Sequence, residues 1–190
     1  MLREEFINAK RIVIKLGTNV LRNSEGEVAI SRIYSFIEDM AKLVKQGKEV
    51  ILVTSGAVGL GKKKLNLEST AEDGVKQACA AVGQSRLMSF YENGFGIYDV
   101  PIAQILLTED DFSLRYRYLS LRTTLNKILE FGVVPIINQN DTVSTIEMNP
   151  MMSGMKVCFA DNDKLSAHVA SQKLIKMQSL SKKLIALQMK

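Results

Sequence analysis

Residues 161–163 read Asp-Asn-Asp, at the junction between a strand-like run ending at Phe159 and an apolar helical pattern of Leu165, Ala167, Val169 and Ala170. An acid at a helix N-terminus is worth about 0.3–1 kcal/mol through the backbone dipole. One carboxylate would satisfy that role. Two carboxylates with an amide between them exceed it, because close like charges raise a pKa unless a cation neutralises them. Lys15 is one candidate cation and a metal-bound nucleotide is another. Lys15 sits inside the apolar run RIVIKL, directly before Gly17 and Thr18. An ammonium there must escape to solvent or find a partner. It is compatible with a snorkelling surface lysine and equally with one that holds a phosphate oxygen. Asp141, in INQNDTV, offers either an Asx-turn or an acceptor for a ligand ammonium.

A glycine-rich stretch adds amide donors. Residues 53–61, VTSGAVGLG, follow a strand pattern, and backbone N–H groups at a helix start bind anions. Gly56 to Lys63 nearly matches the phosphate-binding loop GxxxxGK[ST], but Lys63 lacks the hydroxyl that such a loop gives to Mg²⁺. The stretch is therefore read as a turn that permits close backbone approach, with Lys62, Lys63 and Lys64 as a solvated helix face.

The elements that must position these groups alternate in type. Strands are expected at 11–16, 49–53, 102–107 and 133–137, with a weaker one at 155–159. Helical spacing runs over 29–46, through Ile33, Ile37, Met40 and Val44, and Gly47 closes it. A second helix runs from Val75 past Arg86 to about Tyr91. A third follows TEDD, where Thr108 and Asp111 have cap spacing, and it presents Leu121, Leu125 and Ile128. The alternation predicts an α/β fold, a mostly parallel sheet sandwiched by helices. In such sheets ligands gather at the carboxyl ends of the strands. Those ends carry Gly17-Thr18-Asn19, Thr54-Ser55-Gly56-Ala57, Asn138 to Thr142, and Asp161-Asn162-Asp163. Each alone is turn chemistry; together they read as one ligand site.

Bulk composition narrows the class. The 190 residues are 46% hydrophobic and 24% charged, with net charge +5. That suits a folded domain with a sizeable core, and the modest excess suits an anionic ligand. No nucleic-acid motif accompanies the charge. Cys79 and Cys158 stand far apart without metal spacing, which fits a reducing compartment. The sole histidine, His168, lies in an apolar helical pattern and is read as structural. No apolar window is long enough to span a membrane, and the N-terminus has no signal-peptide core, so a cytoplasmic protein is expected.

Six motifs occur in order: IKLGTN, VTSGAVGLG, AAVGQSRLM, QILLTEDDF, INQNDTV and FADNDKLSA. From about Arg11 to Ala170 this resembles the glutamate 5-kinases of the amino-acid kinase family, and it is similar to the kinase half of the pyrroline-5-carboxylate synthases. The resemblance implies a three-layer α/β/α fold and ATP-dependent phosphorylation of the L-glutamate side-chain carboxylate, the first step of proline biosynthesis, with ATP and Mg²⁺. It implies Lys15 at the transferring phosphate with Gly17 and Thr18 beside it. It implies Ser55, Gly56, Ala57, Asp141, Asp161 and Asn162 around glutamate, and Asp163 orienting Lys15. Family members are often oligomeric, so a homo-oligomer is expected, without nucleic-acid or membrane partners.

The chain departs from that pattern at three places. Ala160 replaces the usual glycine before Asp-Asn-Asp, and Gln139 replaces the usual acid between two asparagines. After Ser171 the family's nucleotide-binding segments are not recognisable. The expectation is an acceptor-binding part over 1–173 and an amphipathic helix over 174–190, carrying Leu174, Met177, Leu180, Leu184 and Leu187. Two functions follow from this: a glutamate kinase, or a non-catalytic or truncated relative that binds glutamate alone.

Overall fold

The computed structural model describes residues 9–18, 20, 21, 28–70, 72, 74–143, 165–167, 169 and 185–189. The strands are β1 (Arg11–Leu16), β2 (Glu49–Thr54), β3 (Ile102–Leu107), β4 (Val134–Gln139) and β5 (Ile185–Met189). The helices are α1 (Ile30–Lys45), α2 (Ala57–Lys64), α3 (Val75–Gly96), α4 (Asp110–Ser113) and α5 (Arg115–Glu130). The sheet has the order β3-β4-β2-β1-β5, and every described pairing is parallel.

Side-chain alternation divides the core into two layers, as a parallel sheet covered on both faces requires. Ile12, Ile14 and Leu16 of β1 pack with Ile33, Ile37 and Met40 of α1 and with Leu87, Tyr91 and Phe95 of α3. Val13, from the opposite face of the same strand, packs with Leu125 and Leu129 of α5 and with Leu165 and Val169. Residues 165–167 and 169 are helical. The three-layer α/β/α expectation is met. On α5 the buried stripe passes through Leu129, which lies four residues after Leu125, while Ile128 stays half-buried.

One expectation is corrected. The helix expected over 174–190 is not what its described part forms: Ile185–Met189 is β5, paired in parallel with β1 from Ile12 to Leu16. A short apolar run fits either period. The flank of β1 not taken by β2 carries backbone N–H and C=O groups that need partners, and pairing there decides it. The strand expected at 155–159 lies outside the described residues.

Three side-chain hydrogen bonds fix parts of this framework. Thr108 donates its backbone N–H and its hydroxyl to the Asp111 carboxylate at 2.7 and 2.9 Å, so the two residues of TEDD do meet, but Thr108 is not the cap expected of it: the N-cap of α4 is Glu109, and among the described residues no side chain caps the helix. Tyr91 OH and Thr54 Oγ1 lie 2.6 Å apart in the core. Burial pushes the Tyr91 hydroxyl well above its usual pKa of 10.0, the Thr54 bond opposing weakly. Its neutral form is therefore favoured in the folded state. This contribution is fully present below pH 10 and is lost as the pH rises above it, because only the unfolded chain then ionises. A Tyr91→Phe chain is expected to lose less stability between pH 9 and pH 11 than the parent, by denaturant titration at both pH values; equal losses would contradict this.

Among the described residues no helix is long and apolar enough to cross a membrane. Cys79 is buried with a free thiol.

Candidate active site at the carboxyl edge of the sheet

Parallel pairing brings the strand ends to one edge. Leu16 pairs with Thr54, so the turn after β1 starts beside the turn after β2. Val53 pairs with Ile137, and one residue further the same register sets Thr54 beside Asn138. Leu107 pairs with Gln139. Of the expected strand-end residues, Asn138 and Gln139 prove to be the last two of β4 itself.

Lys15 is half-buried near the end of β1. Its ammonium lies folded over Gly17: a Cβ built on that glycine would stand 3.3 Å from Lys15 Nζ. Glycine thus leaves room for the lysine head at the sheet edge. Thr18 follows, with Oγ1 3.1 Å from Ser55 Oγ. Ser55 donates to the Leu16 carbonyl at 3.3 Å. A hydroxyl carries one proton, so the Thr18 hydroxyl is the donor of the pair and Ser55 Oγ the acceptor. Ser55 is buried and ties the first two turns together.

Gly56 has φ +96°, a left-handed conformation that favours glycine, and it turns the chain from β2 into α2. The N–H groups of the first turn of α2 have no intrahelical acceptors, and among the described residues no side chain caps the helix. Such a terminus suits an anion. Ala57 is buried. Asp141 is half-buried in the turn after β4, where the Asn140 N–H donates to the Leu107 carbonyl at 2.8 Å.

The edge therefore gathers Lys15, Gly17, Thr18, Ser55, Gly56 and Ala57 at two adjacent strands, with Asp141 following β4. Asp161, Asn162, Asp163, Asn19 and Ala160 lie outside the described residues. Among the described residues no three carboxylate, histidine or cysteine side chains converge on a metal position.

The glycines of the near-match loop serve another purpose. A Cβ on Gly61 would lie 1.8 Å from the Cys79 carbonyl oxygen, and one on Gly83 would lie 1.7 Å from that of Ala57. Residues 57 and 61 thus meet 83 and 79, which makes α2 and α3 antiparallel helices in backbone contact. Gly61 is a packing glycine rather than a phosphate cradle. Lys62, Lys63 and Lys64 form the last turn of α2, where cations favour the helix dipole.

Sequence reasoning missed Gln84. It is buried on α3 and accepts a hydrogen bond from Asn138 Nδ2 at 2.9 Å. The available signal was its place on the stripe Ala80, Gln84, Leu87, Tyr91, a polar residue at helical spacing among core positions.

The amino acid kinase family matches residues 10–176. A glutamate 5-kinase of Desulfotalea psychrophila is 47% identical over 167 residues, which are 87% of this chain and 42% of that protein. The glutamate 5-kinase of Pelobacter propionicus is 42% identical over 172 residues, 90% of this chain and 44% of the relative. That of Thermus thermophilus is 41% identical over 166 residues, 87% and 42% respectively. The chain spans somewhat under half the length of these relatives. The match runs through four parallel strands, the polar turns at their carboxyl ends and the helices on both faces: this chain belongs to the amino acid kinase family.

Proposed function

We propose that the chain provides the acceptor side of an ATP-dependent kinase that phosphorylates the side-chain carboxylate of L-glutamate to glutamyl 5-phosphate, a step of proline biosynthesis in the cytoplasm. The observation that carries this reading is the pairing at the ends of β1 and β2, where the Lys15 ammonium over Gly17 adjoins the Thr18–Ser55 hydroxyl bridge. The similarity to glutamate 5-kinases supports it.

The chemistry needs little from the protein beyond placement. A side-chain carboxylate, with an ordinary pKa of about 4.3, is ionised at neutral pH and needs no general base. The enzyme must hold two anions in line and offset their repulsion. In this reading Lys15 and the first amides of α2 lie at the transferring phosphate, with Gly17 and Thr18 alongside. Ser55, Gly56, Ala57, Asp141, Asp161 and Asn162 hold glutamate, and Asp163 orients Lys15. Mg²⁺ would come chiefly with the nucleotide's phosphates, which is how this ion is commonly held. Gln139, where the family resemblance implies an acid, leaves one fewer negative charge beside the incoming anions. A homo-oligomer belongs to the same reading.

A second reading, binding of glutamate without phosphoryl transfer by this chain alone, is favoured by one finding: the match covers only 42–44% of the relatives' length. The experiment is glutamyl-hydroxamate formation by the purified chain with ATP, Mg²⁺, L-glutamate and hydroxylamine, beside calorimetric titration of L-glutamate. Glutamate-dependent hydroxamate is the expected result. Binding without hydroxamate selects the second reading, and neither signal from a folded chain rejects both.

A further inference from the structure

At the end of β4 two buried amides form a relay whose direction the backbone sets. The Gln139 backbone N–H donates to Asn138 Oδ1 at 2.9 Å. A backbone amide nitrogen only donates, so the Asn138 oxygen must face it and Nδ2 must face Gln84. Asn138 Nδ2 then donates to Gln84 Oε1 at 2.9 Å. That turns Gln84 as well and leaves its Nε2 as the end of the relay. Asn138 is 2% exposed and Gln84 9%. Gln84 Nε2 is buried and has no acceptor among the described residues.

Buried amide N–H groups are nearly always paired, because desolvation without a partner is costly. Gln84 lines a cleft of about 720 Å³ together with Gln104 of β3 and Thr142 of the turn after β4. The preceding residue, Gly83, sits against the Ala57 carbonyl. Residues 83 and 84 of α3 therefore touch both the β2–α2 turn and the end of β4, the two places that flank the proposed amino-acid site.

We infer that Gln84 is a specificity-determining residue of that site: held by Asn138 with its amide N–H₂ as a fixed donor, it donates to an acceptor only, a carboxylate oxygen of the bound amino acid. The ligand ammonium is left to acceptors such as Asp141. This inference rests on the glutamate reading above.

The test is calorimetric titration of L-glutamate into the chain and two variants. Gln84→Glu keeps an oxygen for Asn138 Nδ2 and turns the donor into an acceptor. Gln84→Met keeps the length and removes both hydrogen-bonding functions. Glutamate binding is expected to weaken by about 10–100-fold in Gln84→Glu at neutral pH, the size of one lost charge-assisted hydrogen bond. The loss should shrink as the pH is lowered and the new carboxyl takes up a proton, which restores a donor. Gln84→Met should weaken binding about tenfold or more at every pH. A merely structural glutamine would lower Tm without that pH signature. A parent chain that takes up no glutamate overturns the functional reading and this inference with it. A parent that binds, with both variants within about threefold of it, overturns this inference alone.

Discussion

A Lys15→Met chain is expected to keep its fold and lose hydroxamate formation by about 10²–10³-fold, the usual cost of removing one preorganised group from the developing charge of a transition state. Methionine preserves the unbranched stem along β1, whose neighbours Ile14 and Leu16 are buried. What it removes is the ammonium that Gly17 accommodates at the sheet edge. Thermal denaturation should therefore move little. Glutamate affinity should change by no more than about threefold, because the charge is needed where the phosphoryl group passes rather than where the amino acid rests. Activity within about tenfold of the parent would remove Lys15 from the transfer step and return it to a snorkelling surface lysine.

The second large effect is on stability. Gly83→Ala should cost about 3 kcal/mol or more, the upper end for overpacking a close-packed interior. The added Cβ would lie 1.7 Å from the Ala57 oxygen, 2.6 Å from the Gly61 nitrogen and 2.7 Å from the Ala57 carbonyl carbon. All three are backbone atoms, so no rotamer change relieves the clash, and α2 must move away from α3. For a chain of this size the cost corresponds to a Tm fall of roughly 6–12 °C. Glutamate binding should fall too, since Ala57 and Gly56 are joined to Ser55. Val82→Ala, at the exposed neighbouring position, serves as the control. A Gly83→Ala chain that melts within about 2 °C of that control would refute the backbone contact between the helices.

The near-match to a phosphate-binding loop shows why a glycine pattern underdetermines its use. Gly56, Gly59 and Gly61 are equally compatible with a ligand and with a second helix approaching closely. Gly61 is filled by the Cys79 carbonyl, and Gly56 provides the left-handed turn that puts α2 directly after Ser55. Both roles need glycine for reasons of space and φ, and only the partner distinguishes them.

Much of the fold was legible in the chain because it follows from local rules. The run RIVIKL can be buried on both faces, α1 carries Ile33, Ile37 and Met40 at helical spacing, and Gly47 and Gly132, with φ of +81° and +72°, end α1 and α5. Parallel alternation then required the polar turns to collect at one edge, so Lys15, Ser55 and Asp141 could be named together beforehand. Three things depended on tertiary structure. The strand at 185–189 takes its form from β1 beside it, since a short apolar run suits two periods. The Thr18–Ser55 bridge depends on the register that pairs Leu16 with Thr54. Gln84 acquires its meaning only when α3 sets it against Asn138, 54 residues away in sequence. Periodicity reports which face a residue occupies. Which side chain meets it there is decided by packing between elements remote in the chain.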